Sequence, residues 1–195
     1  MKGSEGSVDR ETAGMSPMVD RESEALIQLL DHQEKIRSFR VPGVRTVLVV
    51  LSSRGIVYDV ESLRTKILIS YPDAAVFFRN TRGDAMGAPA PSQVDLLIDL
   101  TGPGQRQGLL MAHGLRKMAR VAVGRNAGLF RKRIYDRVFD EKSNPPGLPK
   151  DLLQKERYVQ RQVLELAGIP LAQQGDPLQD LGRSIALNLP PMQRM

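Results

Sequence analysis

The chain has 195 residues, 41% hydrophobic, 26% charged and 5% aromatic, with no Trp and no Cys. That length holds one core with extensions rather than two full domains. The missing Cys excludes disulfides, a thiolate nucleophile and Cys-ligated metal, the two distant His residues form no ligand pair, and the net charge of +6 points to an anionic partner.

In chain order, MKGSEGSVDRETAGMSPM is polar and rich in Gly and Ser, without the apolar segment of a signal peptide. No later apolar run approaches the roughly 20 residues that cross a bilayer. A cytoplasmic protein is expected, either soluble or peripheral on the cytoplasmic face of a membrane. Leu26, Ile27, Leu29, Leu30, Ile36 and Phe39 then recur as one apolar stripe, which predicts a helix over about Asp20 to Arg40. Asp20 or Ser23 is its expected cap, and Pro42-Gly43 its stop. The stripe packs on its own domain or docks on another protein. In the second case Leu26, Leu29, Leu30 and Ile36 are the contacts.

Val44 to Leu51 is nearly all aliphatic and β-branched, which suits a strand buried on both faces, expected at the centre of a parallel sheet. Val60, Leu63, Ile67 and Leu68 give a helix over Asp59 to Ser70, ended by Tyr71-Pro72-Asp73. Strands follow at Ala74–Arg79 and Val94–Leu100, then a Thr101-Gly102-Pro103-Gly104 turn and a helix over Gln105–Met118. Further strands are expected at Arg120–Gly124 and Ile134–Phe139. A turn-rich connector, Asn144 to Pro149, leads to a helix over Asp151–Ala167 closed by Gly168. Alternating strands and helices predict a three-layer, Rossmann-like α/β domain with a mainly parallel sheet. The domain is expected over 44–170, with a flexible tail and amphipathic helix over 1–43 and an extended tail over 171–195.

Charge concentrates between Arg106 and Arg137, where Arg106, Arg116, Lys117, Arg120, Arg125, Arg131, Lys132, Arg133 and Arg137 face a single acid, Asp136. Arg131, Lys132 and Arg133 are the expected contacts for an acidic protein face, an anionic lipid headgroup or a membrane surface. Phe130 and Tyr135 interleave with them, but no nucleic-acid-binding motif accompanies the cluster, so nucleic acid is not the expected partner. In open parallel sheets ligands gather beyond the carboxyl ends of the strands. There Ser52, Ser53, Arg54 and Gly55, with Gly102, Gly104 and Arg106, form a candidate anion site at two helix starts. The alternative is that the glycines simply permit tight turns.

Four segments carry a family resemblance. Leu51-Ser52-Ser53-Arg54-Gly55-Ile56 after a strand, Val94 to Gly102 (VDLLIDLTG), Leu109 to Gly124, and Lys155 to Pro170 resemble, in order, the amino-terminal half of glycosyltransferase family 9, the heptosyltransferases of lipopolysaccharide assembly. The resemblance spans about Val44 to Pro170. It implies a Rossmann-like half of the GT-B arrangement, the half that binds the acceptor, with the nucleotide-heptose donor held by a second half. Ile56 stands where the family carries the acid that activates the acceptor hydroxyl, and an aliphatic side chain takes no proton. The long acceptor-contacting insertion is reduced to Asn80–Gln93, and the sequence stops before a second half. Asp59 is the nearest carboxylate, with an N-cap role expected, and Asp99 is expected to hold a loop or another chain's Arg. The resemblance therefore implies a non-catalytic binding or assembly subunit with no catalytic residue, metal or cofactor. The alternative is half of a split heptosyltransferase whose donor half is a separate chain.

Overall fold

The computed structural model describes residues 17–52, 59–82, 84–89, 91–102, 106–126, 133–143, 145 and 147–171. Its elements run α1 (Pro17–Ser38), β1 (Thr46–Leu51), α2 (Val60–Ser70), β2 (Ala75–Asn80), β3 (Val94–Asp99), α3 (Arg106–Arg116), β4 (Ala119–Arg125), β5 (Arg137–Phe139), a 3₁₀ turn (Glu141–Ser143) and α4 (Leu152–Leu166). The five strands form one sheet in the order β2-β1-β3-β4-β5, and every pair is parallel. The expected Rossmann-like α/β class is what the chain adopts.

The alternation of side chains along each strand divides the core in two. Val47, Val49 and Leu51 of β1 join Leu96 and Ile98 of β3 beneath α2 (Leu63, Ile67) and α4 (Val159, Val163, Leu164). Leu48 and Val50 face the other way with Leu97 and Ala122, beneath Ala112 and Leu115 of α3. This covering follows from chirality. The chain moves from β1 to β2 in one direction and from β3 to β4 in the other, so right-handed crossovers put α2 and α3 on opposite faces. Strand order reverses between β1 and β3, which opens the crevice of a doubly wound sheet there.

β1 is internal but not central. It lies between β2 and β3, and β3 holds the middle of the sheet. Val44 and Arg45 precede the strand, and at its start the backbone N–H groups of Arg45 and Thr46 both donate to Asp95 Oδ2, at 2.9 and 3.0 Å, while Arg45 O accepts from Ala75 N–H at 2.8 Å. The fifth strand is also shorter than the apolar pattern predicts. Ile134 and Tyr135 are buried in the turn before β5, packed into the α3-side core, and pairing with β4 begins only at Arg137. β2, at the sheet edge, is blunted: Arg64 Nη1 donates to Val76 O at 2.7 Å, and Met86 N–H to Phe78 O at 2.9 Å. These partners occupy carbonyls that an edge would otherwise offer to another chain.

Helix ends follow their caps. Asp59 Oδ1 accepts from Ser62 N–H at 3.0 Å, and Asp151 Oδ1 accepts from Leu153 and Gln154 N–H. At the end of α4, Gly168 N–H donates to Glu165 O and Ile169 N–H to Leu164 O, with Gly168 at φ 76°, the paired bonds of a Schellman motif. Gly168 is also required by contact, since a Cβ there would lie 2.8 Å from Arg40 Cα. α1 starts at Pro17, a residue suited to the first turn, so Asp20 and Ser23 lie within the helix and are not its cap.

The chain divides into two compact units, residues 1–34 and 35–195. The second takes in residues 35–43, which the sequence pattern leaves in the amino-terminal extension. Ile36 is only 3% exposed and Val41 belongs to the α2-side core. Tyr71 explains the attachment: its hydroxyl accepts from Val41 N–H at 3.1 Å and donates to Ala167 O at 2.6 Å. Burial pushes the Tyr71 pKa above its ordinary value. Arg137 adds bonds to the carbonyls of Phe39 and Leu166. Ile36 is therefore a core residue of the domain and not part of a free docking stripe. In the first unit Leu26, Ile27, Leu29 and Leu30 are 57%, 58%, 44% and 56% exposed.

Candidate functional site at the carboxyl edge of the sheet

The switch between β1 and β3 places two of the candidate residues on adjacent segments. Leu100 N–H donates to Val50 O at 2.9 Å, so the chain segments leaving β1 and β3 start side by side, with Ser52 on one and Gly102 on the other. Ser53, Arg54, Gly55, Ile56 and Gly104 lie outside the described residues, and Arg106 opens α3.

Gly102 has a neighbour that the sequence does not announce. A Cβ on it would stand 3.2 Å from Glu156 Oε1, so the backbone abuts a carboxylate carried by α4. Glu156 in turn pairs with Arg125 at the end of β4, and Arg125 also binds Glu141 of the 3₁₀ turn. The Arg125 side chain is 1% exposed. Burial works against its charge, but hydrogen bonds and the charges of Glu141 and Glu156 hold its pKa above the ordinary arginine value. Arg125 thus ties β4, the segment after β5 and α4 together, and does not belong to the basic surface.

Asp99, at the end of β3, is fully buried. Its Oδ1 accepts from Thr101 N–H at 2.8 Å, and its Oδ2 accepts from the Tyr135 hydroxyl. It holds the loop after β3, as the sequence suggests, and its second partner is a tyrosine rather than an arginine. Tyr135 packs its ring onto β4: a Cβ on Gly124 would fall 2.6 Å from the ring. A buried ring cannot stack on a ligand, so Tyr135 leaves the group of aromatics interleaved with the basic residues. Asn126 continues the set, donating from Nδ2 to Asp140 Oδ1 at 3.0 Å.

The basic stretch divides accordingly. Arg116 pairs with Asp136 at 2.8 Å, Arg120 donates to Pro42 O and lies 3.6 Å from Asp95, and Arg137 binds two carbonyls. Arg133 is exposed, while Arg131, Lys132 and Phe130 lie outside the described residues. Of the interior polar network the sequence shows one trace. Glu156 and Gln160, four apart, sit on the α4 stripe with Val159 and Val163, and polar residues on a buried stripe require partners. Gln160 Nε2 finds one in Leu100 O at 3.3 Å.

Among the described residues no group of three His, Asp or Glu side chains could hold a metal ion, and no helix is long and apolar enough to cross a membrane. Fold and site together define a doubly wound α/β domain whose carboxyl edge is knitted by Arg125, Glu141, Glu156, Asp99 and Tyr135. Comparisons with protein-family models, curated sequences and solved structures find no match to the chain.

Proposed function

We propose that the chain is a non-catalytic binding or assembly subunit, derived from the acceptor half of a family 9 glycosyltransferase and acting by contact with a protein partner. One observation supports this reading above others. The buried and half-buried carboxylates that the described part of the carboxyl edge gathers have structural partners: Asp99 holds Thr101 and Tyr135, Asp140 holds Asn126, and Glu141 and Glu156 hold Arg125, while of the exposed ones Asp59 caps α2, Asp84 accepts from Asn80 and Glu61 lies 3.5 Å from Arg64. A general base must reach the proton it removes. A buried carboxylate closed off by a tyrosine, or one clamped by a buried guanidinium, is poorly placed to do so, and Ile56 stands where the family acid would be.

Contact is supported by two features left after the edge network is set aside. Leu26, Ile27, Leu29 and Leu30 of α1 are exposed aliphatic side chains, and Arg133, also exposed and next in sequence to Arg131 and Lys132, offers positive charge to an acidic face or an anionic headgroup. The reading is tested by incubating the chain with ADP-heptose and a lipid A-type acceptor. No turnover above a heat-inactivated control is expected, and measurable transfer overturns it.

A further inference from the structure

We propose that the amino edge of the sheet carries a binding site for a small hydroxylated anion, a phosphate or carboxylate group on a polyhydroxy carbon chain. The inference is independent of the contact reading of α1 and implies no chemistry at the carboxyl edge. An open cavity of about 500 Å³ lies where β1, β3 and β4 begin, within the roughly 300–1,000 Å³ of small-molecule sites. Thr46 and Asp95 reach it from the strand starts, Gln93 from the segment before β3, Lys117 from the turn after α3 and Arg120 from β4.

The lining divides into groups that hold the site and groups that face a ligand. Asp95 Oδ2 accepts from Arg45 N–H, Thr46 N–H and Thr46 Oγ1, at 2.9, 3.0 and 3.0 Å, so the carboxylate is fixed in place. Its Oδ1 has only Arg120 Nε, at 3.6 Å, and retains the capacity to accept a hydrogen bond. Arg120 Nη2 donates to Pro42 O at 2.7 Å, which anchors the guanidinium and leaves Nη1 to donate elsewhere. The nearest other acid, Asp136, is held by Arg116 and by Ala122 N–H, each at 2.8 Å. Lys117 and Gln93 are exposed, and neither side chain makes a hydrogen bond or ion pair among the described residues.

Two cations against one carboxylate leave the lining with an excess positive charge. An anionic head satisfies Lys117 and Arg120 Nη1, while a hydroxyl on the same molecule donates to Asp95 Oδ1. The Gln93 amide, both donor and acceptor, suits a further hydroxyl. A bare anion uses only the cations and meets Asp95 unfavourably, and an uncharged sugar uses only the acceptor. Solvent screens charges in an open cavity, and the carbonyl end of α3 disfavours an anion beside it, so the expected Kd is on the order of 0.1–1 mM.

The test is an amide-resolved NMR titration of the isotope-labelled full chain at low ionic strength with glucose 6-phosphate, gluconate, inorganic phosphate and glucose. Saturable shifts centred on Gln93, Asp95, Lys117 and Arg120 are expected with glucose 6-phosphate or gluconate, and the tighter of the two identifies the head group. Inorganic phosphate and glucose should each bind about tenfold more weakly. Lys117→Ala should weaken binding about tenfold without moving the thermal midpoint, whereas Arg133→Ala, which removes an exposed charge elsewhere, should not weaken it. Absence of saturable shifts with both organic anions, or unaltered binding by Lys117→Ala, would overturn the site. Equal binding of inorganic phosphate, or equal weakening by Arg133→Ala, would overturn it as well, since the effect would then be an adventitious ion only.

Discussion

The carboxylate of Glu156 on α4 pairs with the guanidinium of Arg125 at the end of β4, inside the domain, and leaves that guanidinium to be shared with Glu141. A buried arginine with two carboxylates tolerates the loss of one better than of both. Glu141→Gln or Glu156→Gln alone should therefore destabilise the domain by about 1–3 kcal/mol, because a charged hydrogen bond is weakened but the cation keeps a counter-charge. The double variant leaves a buried unpaired charge, and its cost should exceed the sum of the two singles by at least about 1 kcal/mol. Urea denaturation of the four chains in the cycle checks this; strict additivity would show that the two pairs act independently.

Gly124 is fixed by Tyr135. Gly124→Ala drives a methyl to 2.6 Å from the ring, so the ring must move and its bond to Asp99 with it. The expected loss is about 2–4 kcal/mol. In a Tyr135→Leu background, which loses the bond to Asp99 but has no ring to clash with, Gly124→Ala should cost less than in the wild-type chain, measured by thermal unfolding. A fully stable Gly124→Ala protein would contradict the packing.

Most of the fold is legible in the residues. β1 announces itself by an aliphatic run and β3 by aliphatic residues between Asp95 and Asp99, and Asp59 and Asp151 mark helix starts by residue type alone. Three features are not legible, each for a physical reason. The aliphatic run of β1 points to the centre of the sheet, but such a run describes a strand's faces and says nothing of its neighbours, which depend on the direction each crossover takes. Tyr135 and Arg125 read as surface groups because they sit in a basic stretch, yet each meets its partner across a long separation, Asp99 for one and Glu141 and Glu156 for the other. Ile36 continues the stripe of Leu26 and Leu29 by spacing, and only three-dimensional packing assigns it to the domain core.

Asp95 makes stability depend on pH at the opposite edge of the sheet. The hydrogen bond from Arg45 N–H, together with those from Thr46 and the charge of Arg120, outweighs burial and holds its carboxyl pKa below the ordinary aspartate range. A group whose folded pKa is depressed adds stability above its unfolded pKa, and that stability is lost as pH falls through the folded value. Asp95→Asn should thus destabilise by about 1–2 kcal/mol at pH 7. The gap between variant and wild type should narrow from about pH 4 downward. Thermal midpoints of the two chains between pH 7 and pH 2 decide it; a constant gap would remove the charge from the explanation.

The proposal turns on the carboxylates that the described residues bring to this edge serving structure rather than proton transfer. Its most direct test is transfer from ADP-heptose to a lipid A-type acceptor, measured for the wild-type chain and for Ile56→Asp side by side, each against its heat-inactivated control. Neither chain should transfer sugar, because the buried and half-buried edge carboxylates are committed to Arg125, Tyr135 and Asn126, and one restored acid does not rebuild the site. Measurable transfer by the wild-type chain would contradict the account, since it would require a base that Ile56 cannot supply.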